Sequence, residues 1–184
     1  MERAVAPPGP AASPLTFRRA GLPDAVVVHR IYSATPAYFD VLSFPVPSLG
    51  ECATEISLAL GDPNREVTLI ESEGEAIGVL DVKLGYPAER DVTVNLLLIA
   101  GPLQGRGFGT AAMRWLEETL RGRCVRVLAG VYVKNTRAAR FYENLGYRFS
   151  HAALPVMNWY AKNLGEVGGP PPPASEEMHP KTRQ

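Results

Sequence analysis

The stretch of this chain best suited to chemistry is residues 104–110, Gln-Gly-Arg-Gly-Phe-Gly-Thr. Its glycines fall at positions 105, 107 and 109, and glycine lets backbone N–H groups approach a bulky anion without interference from a Cβ atom. An apolar run, 94–100, precedes it, and Trp115, Leu116 and Leu120 follow at helical spacing. The N-terminus of that helix adds unpaired N–H donors and a partial positive charge. The stretch therefore predicts a strand, a glycine-rich turn and a helix that together form a pyrophosphate cradle.

Two common nucleotide-binding patterns fit this turn poorly. The dinucleotide pattern needs G-x-G-x-x-G and an acidic residue about 20 positions further on, whereas this turn is G-x-G-x-G and residues 124–126 are Cys-Val-Arg. The nucleoside triphosphate loop needs a lysine before its threonine, and here Gly109 stands before Thr110. NAD and ATP are therefore disfavoured, although such a turn can also be a plain tight connection without any ligand.

A second motif lies at residues 135–147, with the pattern N-x-x-A-x-x-F-Y-x-x-x-G-Y. Asn135 is a good helix N-cap and Gly146 a good residue just past a helix end, so the segment predicts a capped helix. Phe141 and Tyr142 could form the apolar face of that helix, and they could also face a ligand beside the cradle.

Together the two motifs resemble those of the GNAT superfamily of N-acetyltransferases. Q-x-x-G-x-G, from Gln104 to Gly109, resembles its acyl-CoA pyrophosphate loop, and residues 135–147 resemble its second motif, in the same order and at similar spacing. The resemblance covers roughly residues 15–164. It implies acetyl-CoA as co-substrate, with the acetyl group passing directly to an amine acceptor, which is a primary amine of a small molecule or peptide.

The resemblance also implies which residues hold the co-substrate. Main-chain groups of Leu98 and Ile99 are expected to pair with the pantetheine arm, because an extended ligand pairs with an exposed strand edge. Asn135 is expected to reach the pantetheine amide, the Arg106 side chain to add charge, and the Thr110 hydroxyl to add a hydrogen bond. The complete set expected to bind acetyl-CoA is Leu98, Ile99, Gln104, Gly105, Arg106, Gly107, Phe108, Gly109, Thr110, Asn135, Ala138 and Phe141.

For catalysis, Tyr142 matches the family tyrosine that protonates the leaving thiolate, a task that suits a phenol with an ordinary pKa of about 10. The alternative is that Tyr142 only packs. The general base is less well defined, because the central strand carries no glutamate. Asn95 could orient a water, and Asp81 and Asp91 are candidates by location, although an exposed structural carboxylate is the commoner role for each. Desolvation of the amine could also remove its proton to water.

The acceptor is expected to lie between the first helices and the last strands. Tyr38, Phe39 and Trp159 are the residues expected to bind it, and residues 36–47 are expected to form a stiff, apolar linker along the pocket wall. Plain core packing explains the same aromatic side chains equally well. The acceptor itself stays open among drugs, polyamines, amino acids and protein N-termini.

The composition of the chain sets wider limits. The 184 residues are 46% hydrophobic and 21% charged with zero formal net charge, which suits one globular domain and gives no reason to expect a nucleic acid partner. No apolar run is long enough to span a membrane, and Cys52 and Cys124 offer no metal-binding spacing, so no membrane or metal partner is expected. A cytoplasmic location is the default expectation.

The predicted organisation is a proline-rich tail (1–14), one domain (15–164) and a second proline-rich tail (165–184). Local patterns place strands at 15–19, 66–71, 76–84, 91–100, 125–133, 147–153 and 156–162, and helices at 23–34, 49–60, 108–120 and 136–145. The resemblance implies the α/β fold that joins them. This is a mixed, largely antiparallel sheet of six to seven strands flanked by about four helices, with a V-shaped cofactor cleft where strands 94–100 and 125–133 splay.

Two further possibilities stay open at this stage. A non-catalytic acyl-CoA sensor or regulatory module would need the same cradle, and only Tyr142 favours the enzyme. A homodimer is also open, because late strands often pair between subunits in the family.

Overall fold

The computed structural model describes residues 14–153 and 156–165. Apart from Pro14 and Gly165, the two predicted tails lie outside the described residues.

In the described part of the chain, seven strands form one sheet in the order β1-β2-β3-β4-β5-β7-β6, in which only β4 and β5 run parallel. The strands are β1 (Leu15–Arg19), β2 (Arg65–Ser72), β3 (Glu75–Leu84), β4 (Asp91–Ile99), β5 (Arg126–Tyr132), β6 (Arg148–Ala153) and β7 (Met157–Asn163). The helices are α1 (Ala25–Ser33), α2 (Pro36–Leu42), α3 (Leu49–Leu60), α4 (Phe108–Leu120) and α5 (Thr136–Asn144). The prediction of a mixed, largely antiparallel sheet is confirmed.

The chain departs from the predicted element order at α2. Residues 36–47 were expected to form a stiff linker, but Pro36–Leu42 is helical. Pro36 suits the first turn of that helix, where its missing N–H would have no partner anyway. The helix ends at Ser43, whose φ of 60° lies in the left-handed region. The described domain therefore has five helices rather than about four.

The sheet is buried on both faces, since neighbouring residues of one strand belong to different cores. Leu69 and Val79 pack with α1, α2 and α3, whereas Ile70 and Leu80 pack with α4 and α5. Successive strand residues point to opposite faces, so helices cover the sheet on both sides. This arrangement fixes the strand ends on which the site depends.

The sheet opens between β4 and β5. The two strands pair only from Asp91 to Val94 against Arg126 to Ala129, so residues 95–99 have no partner on that side. Asp81 pairs with Leu96 and Val82 with Val94, which leaves Asn95 as an unpaired bulge between β3 and β4. A bulge bends its strand and increases the local twist. The V-shaped opening expected from the resemblance is therefore present, and Asn95 lies where it begins.

Candidate active site

The opening between β4 and β5 continues into a cleft of about 1380 Å³. Its walls are the free edge of β4, the 104–110 turn with the first turn of α4, the end of β5, one side of α5, and α2. Motifs far apart in the sequence thus meet at one cavity, as the two-motif resemblance required.

The cradle itself depends on two glycines. Gly105 has φ of 78° and Gly107, the N-cap of α4, has φ of 88°, and both values belong to the left-handed region that other residues avoid. A Cβ atom built at either glycine would meet nothing within 4 Å, so open space lies in front of the turn. Free N–H groups at a helix start facing open space suit a pyrophosphate, and the loop therefore fits the co-substrate.

Neighbouring residues hold this turn in place. The Gln104 Nε2 donates a hydrogen bond of 2.9 Å to the Ile99 carbonyl, which ties the turn to the end of β4. Phe108, Gly109 and Thr110 line the cleft as expected. The Arg106 side chain is exposed and is not among the lining residues, so the structure does not place its charge in the cleft.

Along the free edge of β4, main-chain groups rather than side chains are available to a ligand in the cleft. As whole residues, Leu98 and Ile99 are only 3% and 6% exposed, yet both line the cleft. Leu96 and Leu97 line it as well, and sequence reasoning missed them because the extent of the unpaired edge depends on where β5 diverges.

Helix α5 forms the opposite wall. The Asn135 Oδ1 accepts a hydrogen bond of 3.1 Å from the Ala138 N–H and caps the helix, so its amide Nδ2 is the group left to donate to a ligand. Ala138 and Phe141 line the cleft, and Phe141 packs over the cradle helix, since a Cβ at Gly109 would lie 3.4 Å from its ring. Arg137 and Arg140 also line the cleft and were not predicted, although both lie within the second motif.

Tyr142 lies in the cleft wall and is only 7% exposed. Its ring packs edge-on against Phe141 and Tyr147, with ring centroids 5.1 and 5.3 Å apart. Burial, with a smaller effect from Tyr38, raises the pKa of Tyr142 above its ordinary value. The phenol therefore keeps its proton across the working pH range and can donate it.

Asp81 and Asn95, two of the three residues considered for proton removal, form one cluster with Arg65. Asp81 is 6% exposed, the Arg65 Nη2 donates to its Oδ2 at 2.6 Å, and the Asn95 Nδ2 donates to its Oδ1 at 3.1 Å. The Asn95 amide oxygen is then free to accept a hydrogen bond at the start of the gap. Asp81 and Asp91 were expected to be exposed if structural, but both are buried against arginines, and Asp91 accepts from the Arg126 Nη2 at 2.5 Å.

A second cavity of about 570 Å³, here called the side pocket, joins the cleft at five shared residues. These are Tyr38, Leu42, Asn95, Leu96 and Tyr132. The three predicted acceptor residues are divided between the cavities. Tyr38 lies at the junction, Phe39 is buried in the side-pocket wall, and Trp159 lines the cleft beside Gly130. Tyr132 was not predicted, because nothing in the sequence distinguishes it from any strand-terminal tyrosine.

Within residues 14–153 and 156–165, the side chains form no group of three or more that could hold a metal ion. The helices of this part of the chain are all too short or too polar to cross a membrane.

Comparison with known proteins identifies the family. The family model for the acetyltransferase (GNAT) family matches residues 30–147. A crystal structure of an acetyltransferase from Thermus thermophilus is 32% identical, with a TM-score of 0.78 over 81% of this chain and 96% of that chain. A comparison with curated proteins found no match.

Two more distant structures share the fold. One is a ribosomal L7/L12 alpha-N-protein acetyltransferase in complex with coenzyme A, 18% identical, with a TM-score of 0.68 over 84% of this chain and 96% of that chain. The other is a spermidine N-acetyltransferase from Vibrio cholerae in complex with CoA and spermine, 16% identical, with a TM-score of 0.67 over 82% and 95%. The family match spans most of the chain, and the cleft fits the co-substrate. The chain therefore belongs to the acetyltransferase (GNAT) family and is an acetyl-CoA-dependent N-acetyltransferase.

Proposed function

We propose that this enzyme acetylates a primary amine of a small molecule or peptide by direct attack, with Tyr142 as the general acid. The observation that carries the proposal is the position of Tyr142, a buried phenol in the wall of the cleft. When bound, acetyl-CoA supplies the thioester whose acetyl group is transferred. The residues of this chain then have three tasks, which are to hold the thioester, to receive the amine and to move two protons.

The first task falls to the cleft wall. The N–H groups around Gly105 and Gly107 bind the pyrophosphate, and the unpaired main chain of Leu98 and Ile99 binds the pantetheine arm as a neighbouring strand would. The Asn135 Nδ2 donates to an amide of the same arm. These contacts direct the acyl end toward the junction with the side pocket.

The second task is to present a neutral amine. We infer that the amine enters through the side pocket and meets the Asn95 amide oxygen, which accepts a hydrogen bond from the amine or from a water that takes the amine's proton. Asp81 acts as a positioning residue, because its hydrogen bond from the Asn95 Nδ2 fixes which end of the amide faces the gap. Its other carboxylate oxygen is engaged by the Arg65 guanidinium, which holds Asp81 in place. Desolvation at this apolar junction favours loss of the ammonium proton to water.

The last task is protonation of the leaving sulfur by the Tyr142 hydroxyl. Replacing Tyr142 with Phe should lower kcat about 100-fold or more, which is the usual contribution of general acid catalysis, while the Kd for acetyl-CoA stays within about twofold. Tyr160→Phe is the matched control, because Tyr160 is a buried tyrosine outside the cleft lining. Turnover should be followed by thiol release with a panel of amines.

Three results of this experiment are informative. Selective loss of kcat in Tyr142→Phe supports the general acid. Equal kcat in wild type and Tyr142→Phe would remove Tyr142 from the mechanism. Acetyl-CoA binding by the wild type without thiol release for any amine of the panel would favour the sensor module instead.

A further inference from the structure

The residues that line the side pocket suit a molecule with a mostly apolar body. The floor of the pocket is apolar and buried, formed by Val28, Ile56 and Val79 among others. Five aromatic residues also line it, namely Tyr32, Tyr38, Phe39, Phe44 and Tyr132. Aromatic faces attract cations as well as apolar groups, so this wall suits an amine on a hydrocarbon chain.

The charged residues of the pocket are unbalanced. Glu51, Glu55 and Asp81 line it together with a single cationic side chain, Arg65. Two hydrogen bonds from Ser48 lower the pKa of Glu51, so this carboxylate stays charged. The Arg65 guanidinium is shared between Asp81 and Glu55, so three carboxylates against one guanidinium leave two negative charges in excess.

This excess charge lies away from the reacting centre. A chain of contacts runs outward from Asn95 at the junction to Asp81, then to Arg65, whose Nη2 donates to the Glu55 Oε2 at 2.9 Å. Glu55 lines the side pocket but not the cleft, and its side chain is 57% exposed. An acceptor whose amine reaches Asn95 would therefore extend toward a negatively charged rim.

We propose that the side pocket selects acceptors with a second positive charge at the far end of an apolar linker, that is, diamines rather than monoamines or carboxylate-bearing amino acids. This inference rests on the proposed function, because it assumes that the reacting amine lies at the junction. The distal ammonium lies at the rim near Glu55 and Glu51, the linker packs on the aromatic wall, and a distal carboxylate is repelled.

Three acceptors of equal chain length test the charge directly: hexylamine, hexamethylenediamine and aminocaproic acid. All three have six carbons and present the same reacting amine, and they differ at the sixth carbon, which is a methyl, a methylene bearing an ammonium, or a carboxylate. We expect kcat/KM to fall in the order diamine, monoamine, amino acid. The diamine should exceed the monoamine about tenfold. A factor of about two comes from its second reacting amine, and about fivefold comes from the distal charge, since exposed ion pairs are individually weak. High salt should reduce this advantage.

A pair of charge-neutralising variants locates the effect. Glu55→Gln should lower the ratio of diamine to monoamine kcat/KM about threefold. Glu118→Gln is the matched control, because Glu118 is an exposed glutamate on α4 that pairs with Arg121 outside the side pocket. The ratio of diamine to monoamine kcat/KM in this variant should stay at the wild-type value. A ratio near two in the wild type, or an equal ratio in Glu55→Gln and wild type, would overturn the proposal.

Calorimetric titration of the three compounds into CoA-saturated protein separates the proposed charge selectivity from the proposed acetyl transfer. Stronger binding of the diamine without thiol release would contradict the transferase mechanism and leave the charge selectivity standing. Equal binding of hexylamine and hexamethylenediamine would refute the charge selectivity whatever the turnover.

Discussion

Gly107→Ala should separate the two roles of the cradle glycine, backbone conformation and ligand access. Alanine at φ of 88° carries a left-handed strain of about 1–2 kcal/mol, and no neighbour within 4 Å adds a clash. A strain of that size lowers Tm by about 2–8 °C in a domain of this length. The new methyl would project into the open space where a pyrophosphate would approach. Loss of one charge-assisted hydrogen bond, about 1.5–3 kcal/mol, weakens CoA binding about 10- to 100-fold.

Gly122→Ala provides the matched control for this variant. Gly122 has φ of 71°, has equally open surroundings, and lies in the turn after α4, outside the cleft lining. Both variants should therefore lose similar stability in thermal unfolding, but only Gly107→Ala should raise the Kd for CoA in calorimetry. Equal CoA affinities of the two variants would refute the assignment of the 104–110 turn as the pyrophosphate cradle.

Three further predictions concern the surroundings of the site. Thr35→Val removes a buried hydroxyl that donates to the Ile31 carbonyl and accepts from the Gly101 N–H, so the free energy of unfolding in urea should fall by about 1–3 kcal/mol; an unchanged urea midpoint would contradict this. Gly78→Ala places a Cβ 2.8 Å from the Leu98 carbonyl and should destabilise by about 1–3 kcal/mol, whereas Gly50→Ala, with nothing nearer than 4.0 Å, should not. Burial raises the pKa of Tyr38 to about 12, so its contribution to stability is complete below about pH 10 and is lost as pH rises toward 12. The free energy of unfolding in urea should therefore fall less between about pH 9 and about pH 11 in Tyr38→Phe than in wild type.

Much of the fold could be predicted because its local signals agree with its packing. The bounds of β1, α3 and α4 match the prediction at both ends, and a Ser48–Glu51 capping box fixes the start of α3. The glycine-rich turn could be predicted because residues 104–110 are contiguous, and the left-handed φ values of Gly105 and Gly107 show why glycine is needed there.

The features that escaped prediction depend on tertiary contacts. Pro36 disfavours helix at the residue before it but also suits the first turn of a new helix. The prediction of a linker at residues 36–47 took only the first property into account. The bulge at Asn95 exists because β3 pairs with the residues on either side of it and skips Asn95. The sequence of β4 alone does not indicate how β3 pairs with it. The junction of the cleft and the side pocket likewise joins α2, β4 and β5, so Tyr132 could not be found by motif.

A crystal structure of the chain with bound CoA would show whether the opening between β4 and β5 directs the thioester to Tyr142. We expect the pantetheine arm along residues 95–99, the pyrophosphate against Gly105 and Gly107, and the sulfur within about 3.5 Å of the Tyr142 hydroxyl. A CoA bound with its sulfur far from Tyr142, or with its pyrophosphate away from the 104–110 turn, would refute this mechanism.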